Sequence, residues 1–352
     1  MSGANGRLHP EISVIVVNWN GKRFLNACLS SLRRQTFSDF EVIVVDNGSE
    51  DGSAEYVRER FPEAKLIALG ENRGFTGANI AGWKEANGKL MALLNNDTEV
   101  HPRWLEEIHK ASVAFPNAGS FACKMLYFDK RDRIDNCGFA ATKVGTTDDI
   151  GRGQRDGPAW MEPRLVFGAC GGAVVYRRSM LEDVGFFDDD FFMTFEDVDL
   201  SFRAQLRGYA CRFVPNAVVY HRYRATMNKF PARQVYFSQR NIELVYLKNM
   251  PLGLLLRSLP LRLLYEGGAA VYFFKIGAGK AFLTAKMDVF RQLPSVLRKR
   301  SAVQKARTIT NGQLRSTMLG YNLQSKLKKF CSAWGMDFQA KLRGFPTRKE
   351  QG

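Results

Sequence analysis

Apolar positions in the first hundred residues fall into short β-branched runs, each broken by a polar cluster and followed by a stretch with helical spacing. Ser13–Val17 ends in Asn18-Trp19-Asn20-Gly21, and Phe40–Val45 ends in Asp46-Asn47-Gly48-Ser49. Lys65–Leu69 is a third short run, and Leu90–Leu94 stops at Asn95-Asn96-Asp97. Runs that are continuous rather than alternating suit strands covered on both faces. Between them, Phe24–Gln35 sets Leu25, Cys28, Leu29 and Leu32 at helical spacing. Ser53–Arg60 reads as a helix with Ser53 as its N-cap, and Asn72–Asn79 opens a third. This alternation predicts a doubly wound α/β domain with a mixed, mainly parallel sheet. Ligands bind such sheets beyond the carboxyl ends of the strands, where Asn18, Asp46 and Asn95-Asn96-Asp97 stand. No G-x-G-x-x-G fingerprint follows any of these strands, which argues against a nicotinamide or flavin enzyme.

Further along, Arg103–Phe115 reads as an amphipathic helix and Ser120–Phe128 as a strand. Asp129–Pro163 has little periodicity and is expected to wander over the sheet, as a segment that holds an acceptor or closes as a lid. Leu165–Arg177 returns as a strand interrupted by glycines. Phe191–Arg203 then runs from an aromatic cluster into Glu196, Asp197 and Asp199, and on into a helix. An acid near a helix start is commonly a cap favoured by the helix dipole, and Asp199 suits that role. Glu196 and Asp197, adjacent and beside three phenylalanines, are costly to bury unless they meet a cation or an acidic proton. Ala217–Tyr220 is an apolar strand that ends in His221.

Charge divides the chain. Residues 1–230 carry 29 Lys/Arg against 30 Asp/Glu, whereas residues 231–352 carry 22 against 5, so the whole basic excess lies in the last third. There the apolar runs from Leu252 onward are broken by Arg257, Arg262, Lys275, Lys280 and Arg291. None approaches the roughly 20 apolar residues that span a bilayer. Residues 231–300 are expected to form amphipathic helices that lie on an anionic membrane surface. Packing on the preceding domain and an oligomer interface are the alternatives. Leucine between the charges argues for lipid rather than nucleic acid. Residues 301–352 read as a basic, partly mobile tail. The six cysteines are scattered with no C-x-x-C pair, which fits buried free thiols in a reducing compartment. No apolar core precedes the first strand, so a secretion signal is not expected and the reading is cytoplasmic.

Several of these motifs, in this order, resemble the family 2 glycosyltransferases, inverting enzymes with the GT-A fold. Val16-Val17-Asn18-Trp19-Asn20 looks like the opening strand and loop, and Val45-Asp46-Asn47-Gly48-Ser49 with Asp51-Gly52-Ser53 is similar to the base-binding signature. Asn72-x-Gly74-Phe75-x-Gly77-Ala78-Asn79 looks like the donor-side helix start. Asn95-Asn96-Asp97 stands at the D-x-D position, and Phe195-Glu196-Asp197-x-Asp199-Leu200 resembles the E-D motif. The likeness covers about residues 11–225 and is nearest to rhamnosyltransferase-like members that build bacterial surface polysaccharides.

The resemblance implies a catalytic domain over 1–230 and a UDP- or dTDP-linked sugar donor, with a glycan or lipid-linked acceptor. Asn18, Trp19 and Asp46 would hold the nucleoside, and Asn72, Asn79, Asn95 and Asn96 would line the donor side. Asp97, with His221, would bind Mg²⁺ or Mn²⁺. Asp197 would be the general base and Glu196 its neighbour. It places the enzyme at the inner face of the cytoplasmic membrane. Asn95 departs from the family's first acid and leaves the ion less protein charge. A non-catalytic membrane- or polyanion-binding protein with a decayed transferase domain is the rival; retention of Asp97 together with Glu196-Asp197 speaks against decay.

Overall fold

The computed structural model describes residues 9–222 and 231–320. The first half follows the alternation: β1 (Ile12–Asn18), α1 (Lys22–Arg33), β2 (Phe40–Asp46), α2 (Ser53–Arg60), β3 (Lys65–Ala68), α3 (Gly74–Glu85) and β4 (Leu90–Asn95). These strands are parallel in the order β3-β2-β1-β4. Parallel neighbours end together, so Asn18 pairs in register with Asp46 and Val17 with Asn95. One sheet edge thus collects the polar strand tips.

The continuous apolar runs are explained by cover on both faces. Ile12, Val14 and Val16 pack with α1 and with α4 (Trp104–Ala114), whereas Ile15, Ile43 and Val45 pack beneath α3. Each such side chain, fully buried, contributes about 1.5–3 kcal/mol.

The second half makes the sheet mixed. After β5 (Thr98–Val100) and α4 come β6 (Ala118–Tyr127), β7 (Ile134–Asn136), the hairpin β8 (Phe139–Ala141) and β9 (Thr147–Asp149), then β10 (Arg164–Val166) and β11 (Ala173–Arg177). Next are α5 (Arg178–Val184), α6 (Glu196–Leu206) and β12 (Ala210–His221). β11 lies antiparallel between β4 and β6, while β12 is parallel to β6, giving the order β10-β12-β6-β11-β4-β1-β2-β3.

Three local expectations are corrected. Gly52, left-handed at φ 76°, is the N-cap of α2; Ser53 is the first helical residue and donates its hydroxyl to Asp51. Leu165–Arg177 is two strands, because the Gly168–Gly172 segment leaves the sheet between β10 and β11. Residues 129–163 are not irregular throughout. They form β7, β8 and β9, which three-residue strands gave no periodicity to reveal.

Beyond the sheet lie α7 (Pro231–Asn249), α8 (Leu252–Lys275), α9 (Gly279–Ala306) and α10 (Asn311–Ser316). α7 packs on α6: Leu244, Val245 and Tyr246 share a core with Val198, Phe202 and Leu206. α9 runs past position 300 into the segment expected to be a tail; residues 321–352 of that tail lie outside the described residues. α8 differs in kind. It buries only Ser258 and Arg262, while Leu252, Leu256, Leu263, Leu264 and Phe274 are all more than half exposed.

Candidate active site

A cavity of about 380 Å³ opens at the carboxyl edge of the parallel strands. Trp19, Asn72, Asn95, Asn96, Asp97 and His221, expected from the sequence, line it. Asn47, from the base-binding-like motif, also lines it, as do Asp135, Asn136, Arg152, Phe192, Met193, Arg233 and Gln234, which were not expected as site residues.

At the tips of β1, β2 and β4 lies an amide network. Asn18 donates to Asp46 Oδ1 and Ser49 Oγ, each at 3.2 Å, and its Oδ1 accepts from Asn96 Nδ2 at 2.6 Å. Asp46 Oδ2 accepts from the Ser49 amide at 3.0 Å. Asn18 and Asp46 are buried and spend their hydrogen bonds on shaping the two strand-end turns. Asn47 ties the turn after β2 to the start of α3, donating to Asn72 Oδ1 and the Gly74 carbonyl, each at 3.1 Å. Gly74 has φ 72°, and a Cβ there would collide with Phe192, so the close approach of α3 to the Phe192 loop requires glycine. Asn79 is not at the cavity. It is buried in α3 and donates to the Phe75 carbonyl at 2.8 Å.

Asp97 stands just past β4, and β12 brings His221 alongside by pairing with β5. His221 Nε2 is 3.5 Å from Asp97 Oδ1, and its Nδ1 meets Asp135 Oδ2 at 2.6 Å. Burial alone would lower the imidazole; its hydrogen bonds to Asp135 and Asp97, and their charges, outweigh this and lift it to about 9. Asp135 comes from β7, and only the sheet pairings β12–β6–β7 bring it here, so no spacing in the sequence could have signalled it. Among the described residues, no group of three or more His, Cys, Asp or Glu gathers as a preformed metal cage. The Asp97–His221 pair still suits a divalent ion whose other ligands are phosphate oxygens. Asp135 holds Nδ1, which leaves Nε2 as the ring nitrogen facing Asp97, the usual second-sphere arrangement for a histidine ligand.

The acid pair opens α6. Asp197 Oδ2 accepts from the Gly171 amide and Oδ1 from the Val198 amide, both at 2.8 Å. Gly171 sits between Cys170 and Gly172, which line the cavity. Burial lifts the Asp197 carboxyl to about 6, against the pull of these two backbone hydrogen bonds. Glu196 is pushed well above the ordinary range, first by burial and then by the charge of Asp197, and one of its oxygens has no hydrogen-bond partner. Asp199, two residues on, has the opposite environment. It is fully buried, bonds Arg203 at 2.8 Å, Lys248 at 2.9 Å and Asn249 at 2.8 Å, and is held below its ordinary value by those cations despite burial. The three acids thus divide into a pair raised by burial and an anchor ionised against Arg203 and Lys248.

Five cysteines among the described residues are free thiols; burial pushes Cys28, Cys123, Cys137 and Cys211 up to about 12, so they are inert packing residues.

The family model described as Glycosyl transferase family 2 matches residues 13–185. The chain is 29% identical over 217 residues to the O-antigen biosynthesis protein RfbC of Myxococcus xanthus; the match covers 56% of this chain and 16% of that protein. It is 28% identical over 247 residues to an N-acetylglucosaminyl-diphospho-decaprenol L-rhamnosyltransferase of Mycobacterium tuberculosis, covering 63% of this chain and 79% of the relative. Among solved structures, GalNAc-T7 with UDP, GalNAc and Mn²⁺ superposes with a TM-score of 0.53 at 17% identity, over 69% of this chain and 48% of that one. The mannosyltransferase PcManGT of Pyrobaculum calidifontis, in complex with GDP-Man and Mn²⁺, gives 0.51 at 17% identity over 93% and 86%. At such identities the structural likeness establishes the fold alone.

Proposed function

Given that this chain is a family 2 glycosyltransferase with the GT-A fold, we propose that it transfers a sugar, with inversion, from a UDP- or dTDP-linked donor to a hydroxyl of a glycan or lipid-linked acceptor in surface-polysaccharide synthesis. The observation that carries this reading is the juxtaposition of Asp97 and His221 on one wall of the cavity with Glu196-Asp197 opening the helix behind Gly171. The named rhamnosyltransferase relative makes a deoxyhexose such as rhamnose the first donor sugar to test.

In this scheme Trp19 and Asn96 cradle the base and ribose, with Asn96 held in place by the buried Asn18–Asp46 pair. Asp97 and His221 would hold Mg²⁺ or Mn²⁺; such an ion, when bound, stabilises the charge on the departing nucleoside diphosphate as a Lewis acid. Arg233, whose guanidinium lies over the Phe192 ring at 4.9 Å, offers further positive charge at the cavity mouth. Asp197 takes the proton from the acceptor hydroxyl as its oxygen attacks the anomeric carbon opposite the leaving group. One displacement inverts that centre, and no covalent enzyme intermediate is needed.

A metal ion entering beside His221 must displace its proton, so Mn²⁺ affinity should rise with pH. Calorimetric titration of Mn²⁺ between pH 6.5 and 9 is expected to show this, and His221→Ala should weaken binding and flatten the dependence. Thermal midpoints should rise further with a donor present. Equal Mn²⁺ binding by Asp97→Ala would remove this pair from the scheme.

The basic helices supply the membrane part of the proposal. Among the described residues no helix is long and apolar enough to cross a membrane. α8 is turned inside out instead: its Arg262 and Glu266 face inward, meeting Glu243 of α7 at 2.8 Å and Lys286 of α9 at 2.5 Å. Leu256, Leu263 and Leu264 point away from the body, and on α9 so do Leu283, Met287 and the 75%-exposed Phe290. An apolar face bordered by Arg257, Lys275 and Arg291 fits a peripheral helix pair on the anionic inner leaflet of the cytoplasmic membrane. Vesicles of phosphatidylglycerol and phosphatidylethanolamine should pellet the protein, and Leu263→Asp with Phe290→Asp should cut binding at least tenfold. Undiminished binding by that double variant would refute the docking face. α7 supports α6, so these point changes are a cleaner test than removal of residues 231–352.

A further inference from the structure

The segment that launches the acid pair is strained. Of the four non-glycine residues with positive φ among the described residues, three are Phe192 (58°), Thr194 (63°) and Phe195 (69°). Phe195 is the left-handed N-cap of α6 and makes no side-chain cap bond. Each such conformation is unfavourable and persists only where its surroundings over-determine it. Phe192 and Met193 also line the donor cavity, so the same few residues form its wall and set where Glu196 and Asp197 stand.

The restraint comes from α7. The Asn241 side chain, fully buried, directs its Nδ2 at three carbonyls of this segment: Phe191 at 2.9 Å, Met193 at 2.8 Å and Thr194 at 2.8 Å. Arg240 fixes the sense of that amide, because its Nε donates to Asn241 Oδ1 at 2.9 Å and leaves the NH₂ facing the loop. The Arg240 guanidinium also donates to the Asp190 and Phe191 carbonyls. From the other side, the Thr76 amide at the start of α3 donates to the Phe192 carbonyl at 3.0 Å. Phe192 stacks on Phe237 of α7 with ring centroids 5.0 Å apart. Neither Asn241 nor Arg240 lines the cavity.

We propose that Asn241, oriented by Arg240, is a positioning residue for catalysis: it holds the Phe192–Phe195 turn in its left-handed path so that α6 presents Asp197 to the reacting hydroxyl. This rests on the reading of Asp197 as the base. An asparagine is needed because one planar NH₂ must satisfy converging carbonyls in a dry site. An aspartate there would set a carboxylate against them, and an alanine would leave the Met193 and Thr194 carbonyls without this donor.

The role is distinguishable from a structural one. With whichever donor of the panel (dTDP-rhamnose, UDP-glucose, UDP-N-acetylglucosamine, GDP-mannose) the wild type turns over, Asn241→Ala and Asn241→Asp should lower kcat about 10–100-fold. Donor KM should stay within about twofold, since the nucleoside side of the cavity is untouched. The acidic limb of the pH–rate profile should also move, because the Gly171 contact that opposes protonation of Asp197 is disturbed. Tyr246→Phe on the same helix, which loses bonds to Ser258 and the Leu255 carbonyl, should lower the thermal midpoint and leave kcat and the pH profile alone. If the Asn241 variants do not fold, Arg240→Gln, which frees the amide to turn, carries the same expectation in weaker form. Wild-type kcat and pH profile in folded Asn241 or Arg240 variants would overturn the proposal. A fully active Asp197→Asn would instead overturn the reading beneath it.

Discussion

Asp197→Asn is expected to yield a folded protein whose nucleoside diphosphate release is slower by about 10²–10⁴-fold, the usual contribution of a positioned general base. The substitution is close to isosteric, and its one disturbance is at the two backbone amides that now meet on the carboxylate. An amide can accept from one of them and not both, at a cost of about 1–3 kcal/mol in stability. Circular dichroism and the thermal midpoint separate this cost from the loss of chemistry. The pH dependence gives the sign. With its carboxyl lifted to about 6, Asp197 is mostly ionised at pH 7 and mostly protonated at pH 5, so wild-type turnover should fall about tenfold per unit below pH 6. Asp197→Asn should lose that limb. A variant with unchanged turnover would mean that some other group takes the proton.

Asp199→Ala should fail in the opposite manner. Lys248, 6% exposed in its side chain, and Arg203, 8% exposed, both lean on the Asp199 carboxylate, and removing it leaves two buried cations short of a partner. Breaking such a group typically costs about 3–5 kcal/mol. In a chain of this size that is a fall of roughly 4–7 °C in thermal midpoint. The damage should spread to α7 and α9, because Lys248 and Lys299 also hold Asp188 between α5 and α6, at 2.6 and 2.5 Å. The sign with pH follows from the lowered carboxyl: this stabilisation is present above about pH 4, the ordinary aspartate value, and is lost as pH falls further. Differential scanning calorimetry of both variants would separate the acids. An Asp199→Ala protein as stable as wild type would show that the cluster contributes nothing net.

The parallel half of the fold was legible because its signals are local. Continuous apolar runs ending in Asn18, Asp46 and Asn95 foretold both the strands and the edge at which their tips meet. Asp97, His221 and the acid pair stood out as carboxylates and an imidazole at strand or helix ends. Three parts were hidden for a physical reason. Asp135 reaches His221 only through the pairing of a three-residue strand, too short to show a period. Asn241 is one polar residue on a helix whose meaning lies in the strained turn opposite, and strain leaves no mark in composition. Asn79 misled because its place at a glycine-rich helix start matched a donor contact, whereas the helix turns its amide back onto Phe75. The tail was read correctly in charge and incompletely in placement. Among the described residues, α7 packs on α6, whereas α8 and α9 carry exposed apolar side chains.

The most direct test of the central claim is release of nucleoside diphosphate from that donor panel, by the full chain with Mn²⁺, at pH 7.5. A dTDP- or UDP-linked sugar should be consumed, with activity falling to background in Asp97→Ala and Asp197→Asn. No release from any of these donors by the wild type, or release that both variants retain, would contradict it.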